Sequence, residues 1–431
     1  MESIMKSVVI HRLLLAVTAI SAAGLSSLAS AQNAEYELVI IEPWDLEYRY
    51  ASSSASGINN LNQVSGCAKP LEGSCSFLWT RETGKVQIDL AGVINDAGVI
   101  AGGNQIRLPD GGMISTGLSQ AFGINEANVV VGDTTGRYWG GCRWTRTARV
   151  WDEINGMRSL VDLGVPSAHQ ARSINESNQI VGVVSTTGSC GDFEAFLYDL
   201  DTGEHVDIHE LLLGGQSGIT EAFDINDAGV VAGEGPYGRN IGEVGPFIWS
   251  RDAGFQFLPA MPGGTTMDTH ARAINNRGQV VGGGIVDDQY WHGFVWDEIN
   301  GMRDLNDLTE GIPERFMVDM AKEINDNGWI IGSGHYGAWS PERAVVLIPI
   351  GGVNCDAIRQ FKTSCGNGKL KVLVKSSLPR GAELTIDNDG DLRTLTIGKG
   401  GKGKVKYTGQ SGRHTVSIVE CGQHRAEVDC G

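Results

Sequence analysis

Apolar and polar positions along this chain recur in one pattern, Ala-x-x-Ile-Asn-[Asn/Asp/Glu]-x-[Gly/Asn]-x-[Val/Ile]-x-Gly. Its copies start at Ala55, Ala91, Ala121, Ala171, Ala222, Ala271 and Ala321. The Ile-Asn pairs are spaced by 36, 30, 50, 51, 49 and 50 residues, a period that belongs to stacked repeat architectures. The residue three after each Asn is Asn62, Gly98, Asn128, Asn178, Gly229, Gly278 or Gly328, the two types that tolerate the left-handed conformation of a tight turn. Segments such as Val64-Ser65-Gly66, Ile180-Val181-Gly182 and Val280-Val281-Gly282 follow. They are rich in β-branched residues and end on Gly, so each unit opens as strand, short turn, strand.

A third strand is predicted in most copies, at Phe77-Leu78-Trp79, Arg149-Val150-Trp151, Phe196-Leu197-Tyr198, Phe247-Ile248-Trp249 and Phe294-Val295-Trp296. A turn rich in Asp, Asn and Gly leads to a fourth, such as Met157–Leu163 or Met302–Leu308, and the segments Val150–Arg158 and Val295–Arg303 are identical. Four strands per unit predict an all-β protein with a seven-bladed β-propeller over residues 32–352. Six blades are the fallback, because the copy at Ile94 is short and lacks an aromatic third strand. The last copy stops after its third strand, Ala344–Leu347, and the N-terminal segment Tyr36–Ile41 supplies the missing partner. That pairing would leave no open edge between last and first blades.

From Val353 the pattern changes. Leu370–Ser376, Glu383–Asp387, Leu392–Ile397, Lys404–Tyr407 and His414–Glu420 alternate as short strands, predicting a small immunoglobulin-like β-sandwich over residues 353–431. Ahead of the repeats, Lys6 and Arg12, the apolar run Leu13–Leu25 and Ala29-Ser30-Ala31 have the order of a secretory signal peptide over residues 1–31. The mature chain is therefore expected to begin near Gln32, with no transmembrane segment, and to be exported to the cell surface, the periplasm or the medium.

Export makes the eight cysteines legible as disulfides. Cys67, Cys75, Cys142 and Cys190 fall in the repeats, and Cys355, Cys365, Cys421 and Cys430 bracket the C-terminal module. None has the C-x-x-C spacing of a zinc site. Cys67 and Cys75 suit a staple within one loop, and Cys142 and Cys190 a bridge between corresponding loops of adjacent blades. Three pairings of the last four cysteines stay open.

Charge divides with the domains. Residues 1–352 carry 21 Lys and Arg against 43 Asp and Glu, whereas residues 353–431 carry 13 against 8. The acidic main body argues against a nucleic-acid partner, since phosphate contacts need Lys and Arg. The basic tail module has the sign to touch an anionic surface.

In a propeller, second-to-third and fourth-to-first connections share one face, and here those are the long, variable ones. Function concentrates on such loops. They hold Tyr138, Trp139, Tyr237, Tyr290, Trp291, His292, His335, Tyr336 and Trp339, and the fourth-to-first loops add His169 and His270. Aromatics gathered on one face stack on sugars or grip a protein partner. No G-x-S-x-G elbow, P-loop, H-E-x-x-H or other catalytic motif is present, and no cofactor is implied. Asp387–Asp391 has the flavour of a calcium loop, but Gly398 stands where its bidentate Glu belongs, so a hairpin turn is expected. His205 and His209, four apart, would share one face of a strand but have no third metal ligand.

The runs Ala271–Gly282 and Phe294-Val295-Trp296 resemble the bacterial extracellular repeat named for its His-Ala-Phe (HAF) tripeptide, a likeness covering residues 36–348. The tripeptide itself is replaced by Cys75-Ser76-Phe77, Glu194-Ala195-Phe196 and His292-Gly293-Phe294. The resemblance implies secretion and a propeller-like fold, and no defined activity. The reading that results is a secreted or periplasmic binding protein whose long-loop face takes a glycan or protein ligand. Two alternatives stay open: a hydrolase or lyase acting on extracellular polysaccharide, with His169, His270 or His335 meeting a carboxylate near the channel, and a structural envelope or matrix protein.

Overall fold

The computed structural model describes residues 35–45, 50–69, 74–137, 144–185, 193–214, 216, 218–236, 244–287, 290–337, 340–350, 357–378, 382–389, 391–418 and 421–431. The chain divides into two compact units, Met1–Ile350 and Gly351–Gly431. Among the described residues both are all-β apart from two short helices in the first, Ile208–Leu213 and Leu305–Leu308.

Among the described residues the first unit is built of seven small sheets, six of which follow the chain in strict order. Their first strands are Ser53–Ile58, Val93–Ile94, Gln120–Ile124, Ala168–Ile174, Glu221–Ile225, Gly264–Ile274 and Met317–Ile324. The sheet at Ile94 is stunted, with strands of two or three residues, but it has all four. In the last sheet Tyr36–Ile41 runs antiparallel to Arg343–Pro349, pairing Tyr36 with Pro349 and Ile41 with Ala344. Thr309–Glu310 adds a short parallel strand outside it.

The repeated residues explain the sheets. All seven turn residues from Asn62 to Gly328 have positive φ, between 56° and 79°. Six of the second strands run on past the Gly expected to end them, and in those sheets the Gly lies beside a bulge of the first strand. At Gly282 a Cβ would stand 1.9 Å from the His270 carbonyl oxygen and 2.9 Å from the Phe294 ring, so no larger residue fits. The aromatic third strands are core: Phe77, Phe196, Phe247 and Phe294 are at most 1% exposed. Apolar side chains of consecutive sheets then pack into shared clusters, and Ile331, Ala344 and Val346 of the last sheet pack with Ala55, Val64 and Phe77 of the first.

The fourth strands are shorter than predicted. They end at Ser159 and Asp304, not at Leu163 and Leu308. After Asp304 the chain turns helical, because its carboxylate caps the backbone N–H of Asn306 at 2.8 Å. His209 likewise lies on the helix Ile208–Leu213, so it does not share a strand face with His205. Its Nδ1 meets Thr220 Oγ1 at 3.0 Å.

The Asn of each Ile-Asn pair ties the sheets together. These residues, Asn59, Asn95, Asn125, Asn175, Asn226, Asn275 and Asn325, are 1–6% exposed. Each Oδ1 accepts the backbone N–H four residues on, at 2.9–3.0 Å, which shapes its own turn. Each Nδ2 donates to the backbone carbonyl of the corresponding Asn in the next sheet, at 2.8–3.3 Å. Asn325 donates to Asn59, so the circuit of bonds closes on itself.

In the second unit, Ile358–Gly366, Lys369–Ser376 and Lys402–Thr408 form one antiparallel sheet. Asp391–Thr396, Glu383–Asn388, Arg413–Ile418 and Cys421–Asp429 form another. Both contribute to one core that includes Leu370, Val372, Leu384, Ile386 and Tyr407. The first and last strands were not foreseen from the sequence. Asp387–Asp391 is the predicted hairpin, with Asn388 paired to Asp391.

Replacing Asn275 by Ala would remove the bond that joins two sheets, leave the Asn325 carbonyl with only the Gly328 N–H, and strip the Gln279 N–H of its acceptor. The expected loss is about 3 kcal/mol of unfolding free energy, measurable by chemical denaturation. Asn275→Asp, which keeps the acceptor and removes the donor, is expected to fall short of the wild type as well.

Candidate functional site

The first strands line a cavity of about 370 Å³ to which all seven sheets contribute. Within the frame Ala-x-x-Ile-Asn, the two variable positions face it or flank it. The first carries Ser56, Gly92, Phe122, Arg172, Phe223, Arg272 and Lys322, and the second Gly57, Val93, Gly123, Ser173, Asp224, Ala273 and Glu323. A second cavity, of about 380 Å³, shares this wall and is lined by Phe122, Gln170, Arg172, Phe223, Arg272, Met320 and Lys322. The residues that differ between copies are thus brought side by side.

Charge is layered along these strands. At the turn end, Asn60, Asp96, Glu126, Glu176, Asp227, Asn276 and Asp326 form a second closed circuit. The backbone N–H of each donates to the side-chain oxygen of the next at 2.6–3.0 Å. Five of the seven are carboxylates. Desolvation, with Asp227, Glu126 and Asp96 close by, raises the Glu176 carboxyl above its ordinary value. One layer in, Asp224 accepts the N–H of Ile274 at 2.8 Å and Ser173 Oγ at 2.6 Å. Glu323 accepts the N–H of Ile58 at 3.1 Å. Both carboxyls therefore bridge to the following sheet. Desolvation by burial raises both, and with Asp224 nearby Glu323 is pushed up to about 8.

At the opposite end the wall is cationic and aromatic. The guanidinium groups of Arg172 and Arg272 stand 4.6 and 4.5 Å from the Phe223 ring centre, an arrangement in which the ring's negative face holds both cations. Arg172 is ion-paired with Glu221, and Lys322 with Glu342. Arg272 has no carboxylate partner among the described residues. Its planar fork of donors faces the cavity beside two phenyl rings, which suits a carboxylate attached to an apolar or sugar ring.

The residues singled out from sequence are more scattered. Tyr138, Trp139, Tyr237 and Trp339, with Cys142, Cys190 and Cys355, lie outside the described residues. His270 and Trp291 do meet, their rings stacked with centres 5.3 Å apart. His270 Nδ1 is 2.6 Å from Glu234 Oε2, a carboxylate of the preceding sheet. His335 meets Asp319 at 2.5 Å and His292 meets Asp304 at 2.5 Å. Tyr290 is half exposed, and Tyr336 packs edge-on against Phe316. His169 packs on Phe193 and its buried Nδ1 has no hydrogen-bond partner. Desolvation and the Arg146 charge lower its pKa. Cys67–Cys75 and Cys365–Cys430 are disulfides, and Cys421 is disulfide-bonded too. No helix among the described residues is long and apolar enough to cross a membrane.

Sequence reasoning placed function on the loops and missed the channel wall. The signal was present: two positions that vary freely inside an otherwise repeated frame.

The raised carboxyl of Glu323 has a definite consequence for pH. Folded, it holds its proton up to about 8, against 4.5 for an ordinary Glu side chain in water. Between those values the native state binds more protons than the unfolded chain. The contribution of this group to stability is therefore full below the lower value and is lost as pH rises through the upper one. Glu323→Gln, which stays neutral, is expected to gain Tm relative to wild type as pH is raised from about 5 to about 8. Parallel Tm profiles in a thermal melt series would contradict this.

No family model matches this chain, and no curated protein matches it. Its backbone is similar to solved structures at low identity. It aligns over 79% of its length with Pyrococcus horikoshii acylaminoacyl peptidase, at 10% identity and a TM-score of 0.46, spanning 60% of that protein. A fungal alcohol oxidase of the AA5 family, in complex with copper, aligns over 92% of this chain and 98% of its own at 10% identity, TM-score 0.32. The xyloglucan PUL protein GH43B of Bacteroides ovatus aligns over 91% and 90%, at 11% identity, TM-score 0.28. These similarities concern the backbone and carry no activity to this chain.

Proposed function

We propose that this chain is an exported, seven-bladed β-propeller of the HAF-repeat type, followed by an immunoglobulin-like sandwich. We further propose that it is a binding protein that takes an acidic glycan at the long-loop end of its channel. The closed circuit of Asn bonds through seven sheets supports the architecture, and the disulfides fit an oxidising compartment. One observation carries the function. The varied positions of the repeat put Arg272, without a carboxylate partner among the described residues, over the Phe223 ring in an open cavity of about 380 Å³ that Phe122 also lines. An uronic-acid residue offers the matching parts, a carboxylate for the guanidinium and a ring face for the phenyl groups.

Calorimetric titration with galacturonate oligomers and with their neutral galactose counterparts tests this. Binding of the acidic oligomers only is expected. Arg272→Ala should weaken it by about 1.5–3 kcal/mol, roughly 10- to 100-fold. Equal affinity of variant and wild type would overturn the assignment.

The second reading, a polysaccharide hydrolase or lyase, rests on the His270–Glu234 pair beside Trp291, because a His held by a carboxylate is equipped for general acid–base work. It requires release of reducing ends from a polysaccharide that His270→Gln abolishes. An unchanged rate in that variant would remove His270 from any mechanism.

A further inference from the structure

The three-stranded sheet of the second unit has two unlike faces. Strand alternation sends Leu370, Val372, Val374 and Tyr407 into the core. On the other face, Lys369, Lys371 and Lys375 project from the central strand, and all are exposed. Lys402, Lys404 and Lys406 project from one neighbouring strand, and Lys362 from the other. The register sets Lys371 directly opposite Lys406, and Lys375 opposite Lys402. No Asp or Glu occurs on any of the three strands, and none of these lysines is in an ion pair among the described residues.

Like charges directly opposed across a sheet are destabilising, so this face opposes folding unless it meets an anion. Side chains on it stand about 6.8 Å apart along a strand, and the strands about 4.8 Å apart, a flat lattice of positive charge. We infer that this face docks an acidic polysaccharide chain through its repeated carboxylate groups, at a surface separate from the channel.

Three features favour that partner. Single-stranded nucleic acids are held by aromatic side chains on which the bases stack, and the face has none. Lodging in a bilayer needs an apolar or aromatic face, whereas the lattice offers only a half-buried Leu373. The Cys365–Cys430 disulfide, joining the first strand of the unit to the residue just past its last, belongs to an oxidising compartment.

The test measures binding of the full chain to polygalacturonate at low and moderate salt, with dextran, phosphatidylglycerol vesicles and duplex DNA as comparison probes. Polygalacturonate binding that falls steeply with salt is expected, and none to dextran. Replacing Lys369, Lys371, Lys404 and Lys406 together by Gln should weaken it about tenfold or more. Tm in that variant should stay level or rise, since opposed charges are relieved. Replacing the same four by Arg should keep the binding. In the Arg272→Ala background, where the channel contribution is reduced, the same Lys→Gln set should still remove the salt-sensitive binding of the long polymer. Loss in both the Gln and Arg sets, loss in neither, or preference for vesicles or DNA over polygalacturonate would overturn the inference. Self-association of the chain through this face, without polymer binding, would overturn it as well.

Discussion

A buried carboxamide that reaches from one sheet to the backbone carbonyl of the next is the bond on which the first unit depends. Each of the seven Asn side chains does two things. Its oxygen closes the turn of its own sheet, and its nitrogen holds the neighbouring one. Aspartate has no donor for the second task, and alanine offers neither group. In a site only a few per cent exposed, an unmatched carbonyl or N–H is expensive. The small Ala and Gly of the same repeat follow from this, since the strands carrying these amides must approach closely. The turn residues with positive φ place each amide in register with the next.

With the frame held by Asn, the positions between Ala and Ile are free to differ, and they point along the channel. Asp224 and Glu323 show how far that freedom goes. Both carboxyls have been recruited into the wall, each bridging to the N–H of a following Ile. Phe122, Arg172, Phe223, Arg272 and Lys322 gather at the other end. The wall is therefore polarised, with carboxylates at the turn end and the Arg172, Arg272 and Lys322 cations at the other.

The second unit applies the simpler rule of the pleat. Alternation buries Val372 and Val374 and exposes Lys371 and Lys375. Its charge is consequently concentrated on one face, although the sequence shows only a modest excess of basic residues. The disulfide between Cys365 and Cys430 links opposite ends of this unit's sequence, which suits a core too small to be secure unaided.

The sequence by itself determined the local units: where each strand pair turns, which aromatics are buried, and that Tyr36–Ile41 must complete the last sheet. Those follow from neighbours within a few residues, or from one unpaired edge. It overran the fourth strands, because Asp304 capping a helical turn competes with the alternating pattern, and it placed His209 on a strand for the same reason. Only the tertiary structure decided what stands beside what around the axis. Arg172, Phe223 and Arg272 are about fifty residues apart in turn. Nothing in a single repeat says that its two variable residues face a shared cavity. That meeting exists because seven amide bonds bring seven separate strands around one channel.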